Sequence, residues 1–195
     1  MGFRIAVTGG IGSGKSMVCK ALRAFGYPVY DSDTEARRLM HSDEAVIAAM
    51  VAEFGAEAYT DGRLNRPFIA SQVFGSPERL LKLNSIVHPA VVADFVRWAA
   101  ERNERLVFVE TALLFESRLC STVDKSIAVV APEGLRVMRV MSRDGITEQE
   151  AYGRIRSQME QDKLASMCDY TVVSDQVRPV LPQLERIVGE LENDI

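Results

Sequence analysis

The sequence has few cysteines and no long hydrophobic run. Its cysteines, Cys19, Cys120 and Cys168, are odd in number and widely spaced, without a C-x-x-C pair. They therefore predict free thiols rather than a disulfide framework or a zinc site. No apolar run is long enough to cross a bilayer, and the first residues do not have the form of a secretory signal. We therefore expect a cytoplasmic protein without a membrane partner.

An excess of positive charge is also missing. The formal net charge is −4 over 195 residues, whereas nonspecific nucleic-acid binding usually needs a strongly basic face. The sequence thus predicts no nucleic-acid partner. A chain of this size buries about 70% of the surface that its unfolded form exposes. We expect one α/β domain with a small insert, as a monomer or a small homo-oligomer.

Short apolar runs alternate with helical patterns along the chain. Strands are predicted at 4–8, 28–30, 105–110, 125–130 and 169–173. Helices are predicted at 17–25, at 32–40 from a Ser32-x-x-Glu35 capping box, at 43–54, from Pro77 to a break at His88-Pro89, onward to about 102, and at 132–142, 147–158 (with a Thr147-x-x-Glu150 box) and 178–192. The alternation predicts a five-stranded parallel sheet with helices on both faces. Such sheets bind ligands at the carboxyl ends of their strands.

A glycine-rich segment follows the first predicted strand. Residues 9–16, Gly-Gly-Ile-Gly-Ser-Gly-Lys-Ser, match G-x-x-x-x-G-K-[ST]. Glycines let main-chain N–H groups approach an anion, and the next helix adds the positive end of its dipole, about half a charge. Lys15 should bridge the β- and γ-phosphates, and Ser16 should bind Mg²⁺. The motif predicts a P-loop NTPase fold that holds a nucleotide and Mg²⁺ through Gly10, Ile11, Gly12, Ser13, Gly14, Lys15, Ser16 and Met17.

Carboxylates follow two of the predicted strands. Asp31 and Asp33 are two residues apart in extended chain, so their side chains point to the same side. Either could accept a proton from an attacking hydroxyl or hold a metal-bound water, and either could cap the next helix. Glu110 ends the third strand, where it could hold a metal-bound water, contact substrate or face solvent. Glu116, after an apolar run, could be a surface residue.

Arginines cluster between the last two predicted strands. Arg136, Arg139 and Arg143 share one helical face, and Arg154 and Arg156 follow on the next helix. A mobile arginine-bearing lid here would neutralise charge on a transferred phosphoryl group, which can be worth 10³–10⁵ in rate. A solvated basic face is the alternative.

Together these motifs resemble the dephospho-coenzyme A kinases over nearly the whole chain. The marks of the resemblance are the loop at 8–16, Tyr30-Asp31-Ser32-Asp33 with Ala36-Arg37, Leu64-Asn65-Arg66 with Val73-Phe74, residues 83–89 ending in His88-Pro89, Leu113-Leu114-Phe115-Glu116, Arg143-Asp144-Gly145, and Arg154-Ile155 with Gln158. The resemblance implies ATP-dependent phosphorylation of the ribose 3′-hydroxyl of dephospho-coenzyme A, the last step of coenzyme A synthesis.

The resemblance also implies roles for residues and segments. Lys15, Asp33, Arg139 and Arg143 would be catalytic, with Asp33 as the base. Asp31, Asp33, His88, Pro89, Leu113, Phe115 and Glu116 would contact the acceptor. A single domain, 1–195, would have its core at about 1–40, 104–131 and 168–195. A helical acceptor-binding region would occupy about 41–103, and a lid about 132–167.

Some positions depart from the family pattern. The family pattern commonly has a second hydroxyl, an Asp and a Gln where this chain has Met17, Asn65 and Arg136. Near the adenine, Ser174-Asp175-Gln176 replaces an Asn-x-Gly. This last difference leaves open whether the nucleotide is ATP or GTP. Another P-loop nucleoside, nucleotide or small-molecule kinase is an alternative function. A nucleotide-dependent switch is a second, although the chain has no Asn-Lys-x-Asp guanine motif.

Overall fold

The computed structural model describes residues 2–194, an α/β arrangement built on seven strands in those residues. The strands are β1 (Phe3–Thr8), β2 (Val29–Asp31), β3 (Tyr59–Thr60), β4 (Arg63–Leu64), β5 (Leu106–Glu110), β6 (Lys125–Val130) and β7 (Tyr170–Val173). The α-helices are α1 (Lys15–Ala24), α2 (Ser32–Ser42), α3 (Glu44–Phe54), α4 (Arg66–Val73), α5 (Pro77–Ala100), α6 (Glu133–Asp144), α7 (Glu148–Arg156), α8 (Gln161–Ser166) and α9 (Val180–Asn193). No helix within these residues is long and apolar enough to span a bilayer.

Five strands form one parallel sheet in the order β2-β5-β1-β6-β7. This confirms the predicted five-stranded parallel sheet. In its register, Glu110 pairs with Val7 of β1 on one side and with Asp31 of β2 on the other. The carboxyl ends of these three strands therefore meet at one edge, where the glycine loop begins.

Alternation of side chains along the strands supplies both faces of the core. Ile5 and Val7 face a cluster completed by α1 and α9, whereas Ala6 faces a cluster completed by α2 and α5. All three side chains are fully buried. Each face is thus covered by helices, as continuous apolar strands in parallel sheets require.

Helix α5 runs without interruption through Pro89. The predicted break at His88-Pro89 is wrong. An interior proline costs a helix about 3 kcal/mol, because it lacks an N–H and crowds the preceding turn. Val87, Val91 and Phe95 lie on the buried face on both sides of the proline. Burial of large apolar side chains contributes about 1.5–3 kcal/mol each, which is enough to keep the helix continuous.

The start of α2 differs from the prediction as well. The Asp31 carboxylate accepts hydrogen bonds from the N–H groups of Asp33 and Thr34, at 3.1 and 3.0 Å. Asp31 is therefore the N-cap, and the predicted Ser32 capping box is wrong, since Glu35 instead pairs with Arg38.

Elsewhere the caps agree better with the prediction. The Thr147–Glu150 capping box that opens α7 is confirmed. The β3–β4 hairpin and helix α8 were not predicted, because each is too short to show a clear period in the sequence.

Candidate active site

The glycine loop between β1 and α1 has backbone angles that side chains disfavour. Gly12 and Gly14 have φ values of 76° and 105°. A Cβ at Gly12 would lie 2.6 Å from the carbonyl oxygen of Arg136, closer than atoms normally approach. The loop therefore requires glycine both for its left-handed conformation and for its close contact with α6.

Lys15 begins α1 and folds back over this loop. Its Nζ donates to the Gly9 carbonyl oxygen at 2.6 Å. Burial lowers the pKa of Lys15, and the nearby carboxylates of Glu110 and Asp33 partly oppose that shift. The ammonium thus lies near the loop, near Glu110 at the end of β5 and near Asp33 in the first turn of α2.

Ser16 and Glu110 are joined directly. The Ser16 hydroxyl donates to Glu110 Oε1 at 2.9 Å. Hydroxyl and carboxylate oxygens are hard ligands of the kind Mg²⁺ uses together with phosphates and water. The pair therefore fits a magnesium site beside the loop. Because the Glu110 side chain lines a cavity, it is not simply a solvated strand end.

The cavity in front of the loop has a volume of about 720 Å³. It is rich in charged side chains, as a polyphosphate site should be. Its lining residues are Ile11, Gly12, Gly14, Lys15, Ser16, Asp33, Arg37, Glu110, Ala112, Arg139, Arg143, Asp144 and Gln158. We call it the phosphate cavity.

A second cavity of about 220 Å³ adjoins it between α2, α5 and the segment after β5. It is lined largely by apolar groups: Ser32, Asp33, Ala36, Met40, Leu83, Asn84, Val87, His88, Val91, Thr111, Leu113, Ser117 and Leu119. We call it the inner cavity. Among residues 2–194, Asp33 alone lines both this cavity and the phosphate cavity.

A third cavity, of about 630 Å³, shares Asn84, His88 and Ser117 with the inner cavity, and we call it the outer cavity. His88, Pro89 and Glu116 line it together with Arg118 and residues of α5. Burial lowers the pKa of His88, and the nearby Glu116 partly opposes this. The neutral ring is thereby favoured, so His88 can both donate and accept hydrogen bonds between the inner and outer cavities.

Two arginines of α6 contact the loop. Arg136 Nε donates to the Ile11 carbonyl at 3.0 Å, and Arg139 Nη1 donates to the Gly12 and Ser13 carbonyls at 3.1 and 3.2 Å. Arg139 also donates to the Ser174 carbonyl at 3.0 Å. Consecutive peptides of the loop are thus held by one helix.

Two other arginines of this segment, Arg143 and Arg154, are bound to an acid. Asp144 accepts hydrogen bonds from Arg143, at 2.7 and 3.0 Å, and from Arg154, at 2.6 Å. Both arginine side chains are about half exposed. Arg156 packs on the ring of Tyr152 and does not line the phosphate cavity.

Gln158 lies beside the loop, although no role was predicted for it. Its Oε1 accepts a hydrogen bond from the Ile11 N–H at 2.7 Å. With Arg136 on the carbonyl side, the Ile11 residue is therefore held at both its N–H and its C=O. Membership in the motif Arg154-Ile155 with Gln158 was the only sequence signal.

Several predicted site residues lie outside the cavities. Asp31 caps α2 and lines neither the phosphate cavity nor the inner cavity. Phe115 packs partly buried against the core face formed by α2 and α5. Met17 projects from α1, 55% exposed. Arg37 lines the phosphate cavity without having been assigned a role, although its spacing of four from Asp33 places both on one helical face.

Known proteins share this sequence and this arrangement. A family model described as dephospho-CoA kinase matches residues 3–178. A dephospho-CoA kinase of Porphyromonas gingivalis is 39% identical over 185 residues, covering 94% of this chain and 92% of that protein. A solved structure from Thermus thermophilus has a TM-score of 0.82 at 34% identity, covering 100% and 98% of the two chains. A dephospho-CoA kinase structure from Campylobacter jejuni has a TM-score of 0.71 at 20% identity, over 100% of both chains, and so shares the fold.

Proposed function

Because the chain belongs to the dephospho-CoA kinase family, we propose that it transfers the γ-phosphate of ATP to the ribose 3′-hydroxyl of dephospho-coenzyme A, giving coenzyme A and ADP. The observation that carries this proposal is the position of Asp33, at the boundary between a charged phosphate cavity and a largely apolar inner cavity. A carboxylate there can reach an alcohol on one side and a phosphate on the other.

The phosphate loop would bind the nucleotide. Its main-chain N–H groups and the start of α1 attract anions, and Lys15 already lies in the cavity where the terminal phosphates would enter. On binding, the Lys15 ammonium would exchange the Gly9 carbonyl for phosphate oxygens. This exchange keeps a hydrogen-bond partner for a buried cation, which lowers the cost of the change.

Ser16 and Glu110 would hold Mg²⁺, with Glu110 acting directly or through a water. The hydrogen bond between them already places the hydroxyl and carboxylate oxygens 2.9 Å apart. Bound Mg²⁺ neutralises charge on the β- and γ-phosphates during phosphoryl transfer.

Asp33 would be the general base. It is exposed to the cavities, whereas Asp31 is committed to the helix cap. The acceptor hydroxyl would lie in the inner cavity, where Asp33 could take its proton as the oxygen attacks the γ-phosphate. A base positioned in this way typically contributes 10²–10⁴ in rate.

The acceptor would extend from the inner cavity past His88 into the outer cavity. Leu113 would contact it in the inner cavity, and Pro89 and Glu116 in the outer one. Nothing in the position of Phe115 supports a direct contact, and we keep it as a packing residue behind this wall.

Arg139 and Arg143, which both line the phosphate cavity, would balance charge at the transferred phosphoryl group. Arg139 is already fixed by the loop carbonyls. Arg143 would have to leave Asp144, and movement of the segment 132–167 as a lid would bring it closer. A cytoplasmic location, a monomer or small homo-oligomer, and the absence of a nucleic-acid partner stay predictions.

The deciding experiment is incubation of the protein with ATP, Mg²⁺ and dephospho-coenzyme A. We expect equal amounts of coenzyme A and ADP, measured by mass spectrometry and chromatography. Reactions with GTP, and with nucleosides, nucleotides and shikimate as acceptors, serve as controls for the alternative kinases. Faster transfer to one of those acceptors would contradict the proposed substrate while leaving the kinase chemistry intact.

A further inference from the structure

Four cationic side chains line the phosphate cavity, and three of them already have partners. Lys15 donates to a loop carbonyl, Arg139 to several main-chain oxygens, and Arg143 to Asp144. The Arg37 guanidinium, by contrast, makes no hydrogen bond or ion pair within residues 2–194, although it lines the same cavity. An arginine with five N–H donors is therefore available to a ligand at this point.

Arg37 lies on α2, the helix that begins next to the reacting centre. It follows Asp33 by four residues, so the two side chains project from one face about one turn apart. The same helix lines the inner cavity through Ala36 and Met40. Arg37 thus lines the phosphate cavity beside Asp33, the residue at which that cavity meets the inner cavity.

The acceptor in the proposed function brings negative charge that the inner cavity does not match. Dephospho-coenzyme A carries a diphosphate on the 5′ side of the ribose that is to be phosphorylated. None of the described residues that line the inner cavity is a lysine or an arginine. A cation for that diphosphate must therefore come from the border of the cavity.

We propose that Arg37 binds the diphosphate of the acceptor and so determines specificity for an anionic acceptor. The inference rests on the proposed function and deepens it. The nucleotide's own phosphates have the loop amides and Lys15, and Arg139 and Arg143 of α6 line the same cavity. A planar guanidinium can meet two phosphate oxygens at once. With the diphosphate held there, the 3′-hydroxyl of the same ribose faces Asp33.

A second arginine competes for this role. Arg118 lines the outer cavity, and its side chain also makes no hydrogen bond or ion pair in the part of the chain that the structure describes. It has a left-handed φ of 63°. Glu116 lines the same cavity, however, and would repel a diphosphate. Arg118 lines only the outer cavity, which Asp33 does not line, so the two arginines give different predictions for the same ligand.

The test is equilibrium binding by calorimetry, with dephospho-coenzyme A and with ATP–Mg²⁺ as separate ligands. We expect Arg37→Met to raise the Kd for dephospho-coenzyme A by about 10- to 100-fold, the range for a lost hydrogen bond to a charged group. The Kd for ATP should change less than about twofold. Arg37→Lys keeps the charge but not the planar geometry and should recover part of the loss. Arg63→Met, which removes an exposed arginine of the β3–β4 hairpin, is the matched control and should bind both ligands as the unchanged protein does.

Each contrary outcome has a distinct meaning. An unchanged Kd for dephospho-coenzyme A in Arg37→Met overturns the proposal, and so does a loss that appears only in Arg118→Met. A loss of ATP affinity as large as the loss of acceptor affinity would assign Arg37 to the nucleotide instead. If the unchanged protein binds ATP but not dephospho-coenzyme A, the proposed function itself is wrong, and this inference with it. Thermal unfolding of each variant checks that the fold is kept.

Discussion

Two aspartates at the start of α2 differ in what surrounds them. The Asp31 carboxylate accepts two main-chain hydrogen bonds, whereas within residues 2–194 the Asp33 carboxylate accepts none and faces both cavities. A base needs free lone pairs and access to its proton donor. Asp31 is therefore used as the helix cap and Asp33 is not, a difference that the sequence alone could not show.

Replacement of Asp33 by Asn should lower kcat by about 10²–10⁴, because the amide cannot accept the hydroxyl proton. The Kd for ATP should change little, since the phosphate loop is untouched. Steady-state kinetics and calorimetry measure the two quantities. Asp43→Asn makes the same chemical change at the cap of α3 and serves as the control. An Asp33→Asn protein with normal turnover would rule out Asp33 as the base.

The Arg136 side chain is buried, and its guanidinium contacts the glycine loop rather than solvent. It is only 5% exposed, and its Nη2 has no hydrogen-bond partner within the described residues. Burial lowers its pKa, with Glu133 in partial opposition. A buried charge without an acidic partner costs folding free energy, so its contact with the Ile11 carbonyl compensates only in part.

Replacement of Arg136 by Met should therefore weaken nucleotide binding more than it weakens the fold. We expect the Kd for ATP to rise about tenfold, equivalent to about 1.4 kcal/mol, because Ile11 loses the contact at its C=O and keeps only that of Gln158 at its N–H. The free energy of unfolding without nucleotide should fall by less than about 1 kcal/mol or rise, since the buried charge is removed. Urea titration and calorimetry measure both. A large loss of stability with normal ATP affinity would contradict this assignment.

At the scale of elements, one buried acid joins helix α2, which carries Asp33, to helix α5. Asp94 of α5 accepts hydrogen bonds from Tyr30 of β2, at 2.8 Å, and Arg38 of α2, at 2.7 Å, and from Arg97. Burial alone would raise the pKa of Asp94, but these hydrogen bonds outweigh it and lower the pKa from its usual value. The orientation of α2, and with it of Asp33, depends on this contact.

Replacement of Asp94 by Asn should destabilise the protein by about 1–3 kcal/mol at pH 7, the range for hydrogen bonds to charged groups. Because the pKa of Asp94 is lower in the folded state, its contribution is complete above about pH 4 and is lost as pH falls through the folded-state value. The difference from the unchanged protein should therefore shrink in acid. Denaturant titrations at pH 7 and pH 3 measure it. Asp61→Asn, in the exposed β3–β4 turn, is the control, and an equal effect there would contradict the role of Asp94.

The elements show where sequence patterns suffice and where they do not. The loop at 9–16 and the carboxyl-end position of Glu110 follow from a local motif and from strand order, so both could be predicted. The spacing of Arg136 and Arg139 defines a helical face but not what covers that face, which depends on contacts more than 100 residues away. Pro89 misled the prediction for the same reason, since its helix is kept by distant packing.

At the scale of the whole molecule, nucleotide binding should raise the free energy of unfolding. A ligand that binds only the folded state adds about 2.7 kcal/mol when its concentration is 100 times its Kd. For a chain of this length that corresponds to a rise in Tm of about 5–10 °C. Thermal unfolding with and without ATP–Mg²⁺ measures it.

Lys15→Ala removes the cation of the loop and should abolish most of this rise, while Lys20→Ala, on an exposed face of α1, should keep it. Equal rises in both variants would show that ATP binds elsewhere on the molecule.

Because Asp33 borders both cavities, the two substrates would lie close enough to be joined. A single compound that links the adenosine of the acceptor to a nucleotide through a short polyphosphate would span the boundary at this residue. Its second half would bind intramolecularly, and its affinity could exceed that of either half by 10²–10⁴. The linker of such a bivalent inhibitor should match the distance between the acceptor hydroxyl and the terminal phosphate of the nucleotide. The linker length that gives the highest affinity would therefore measure that distance.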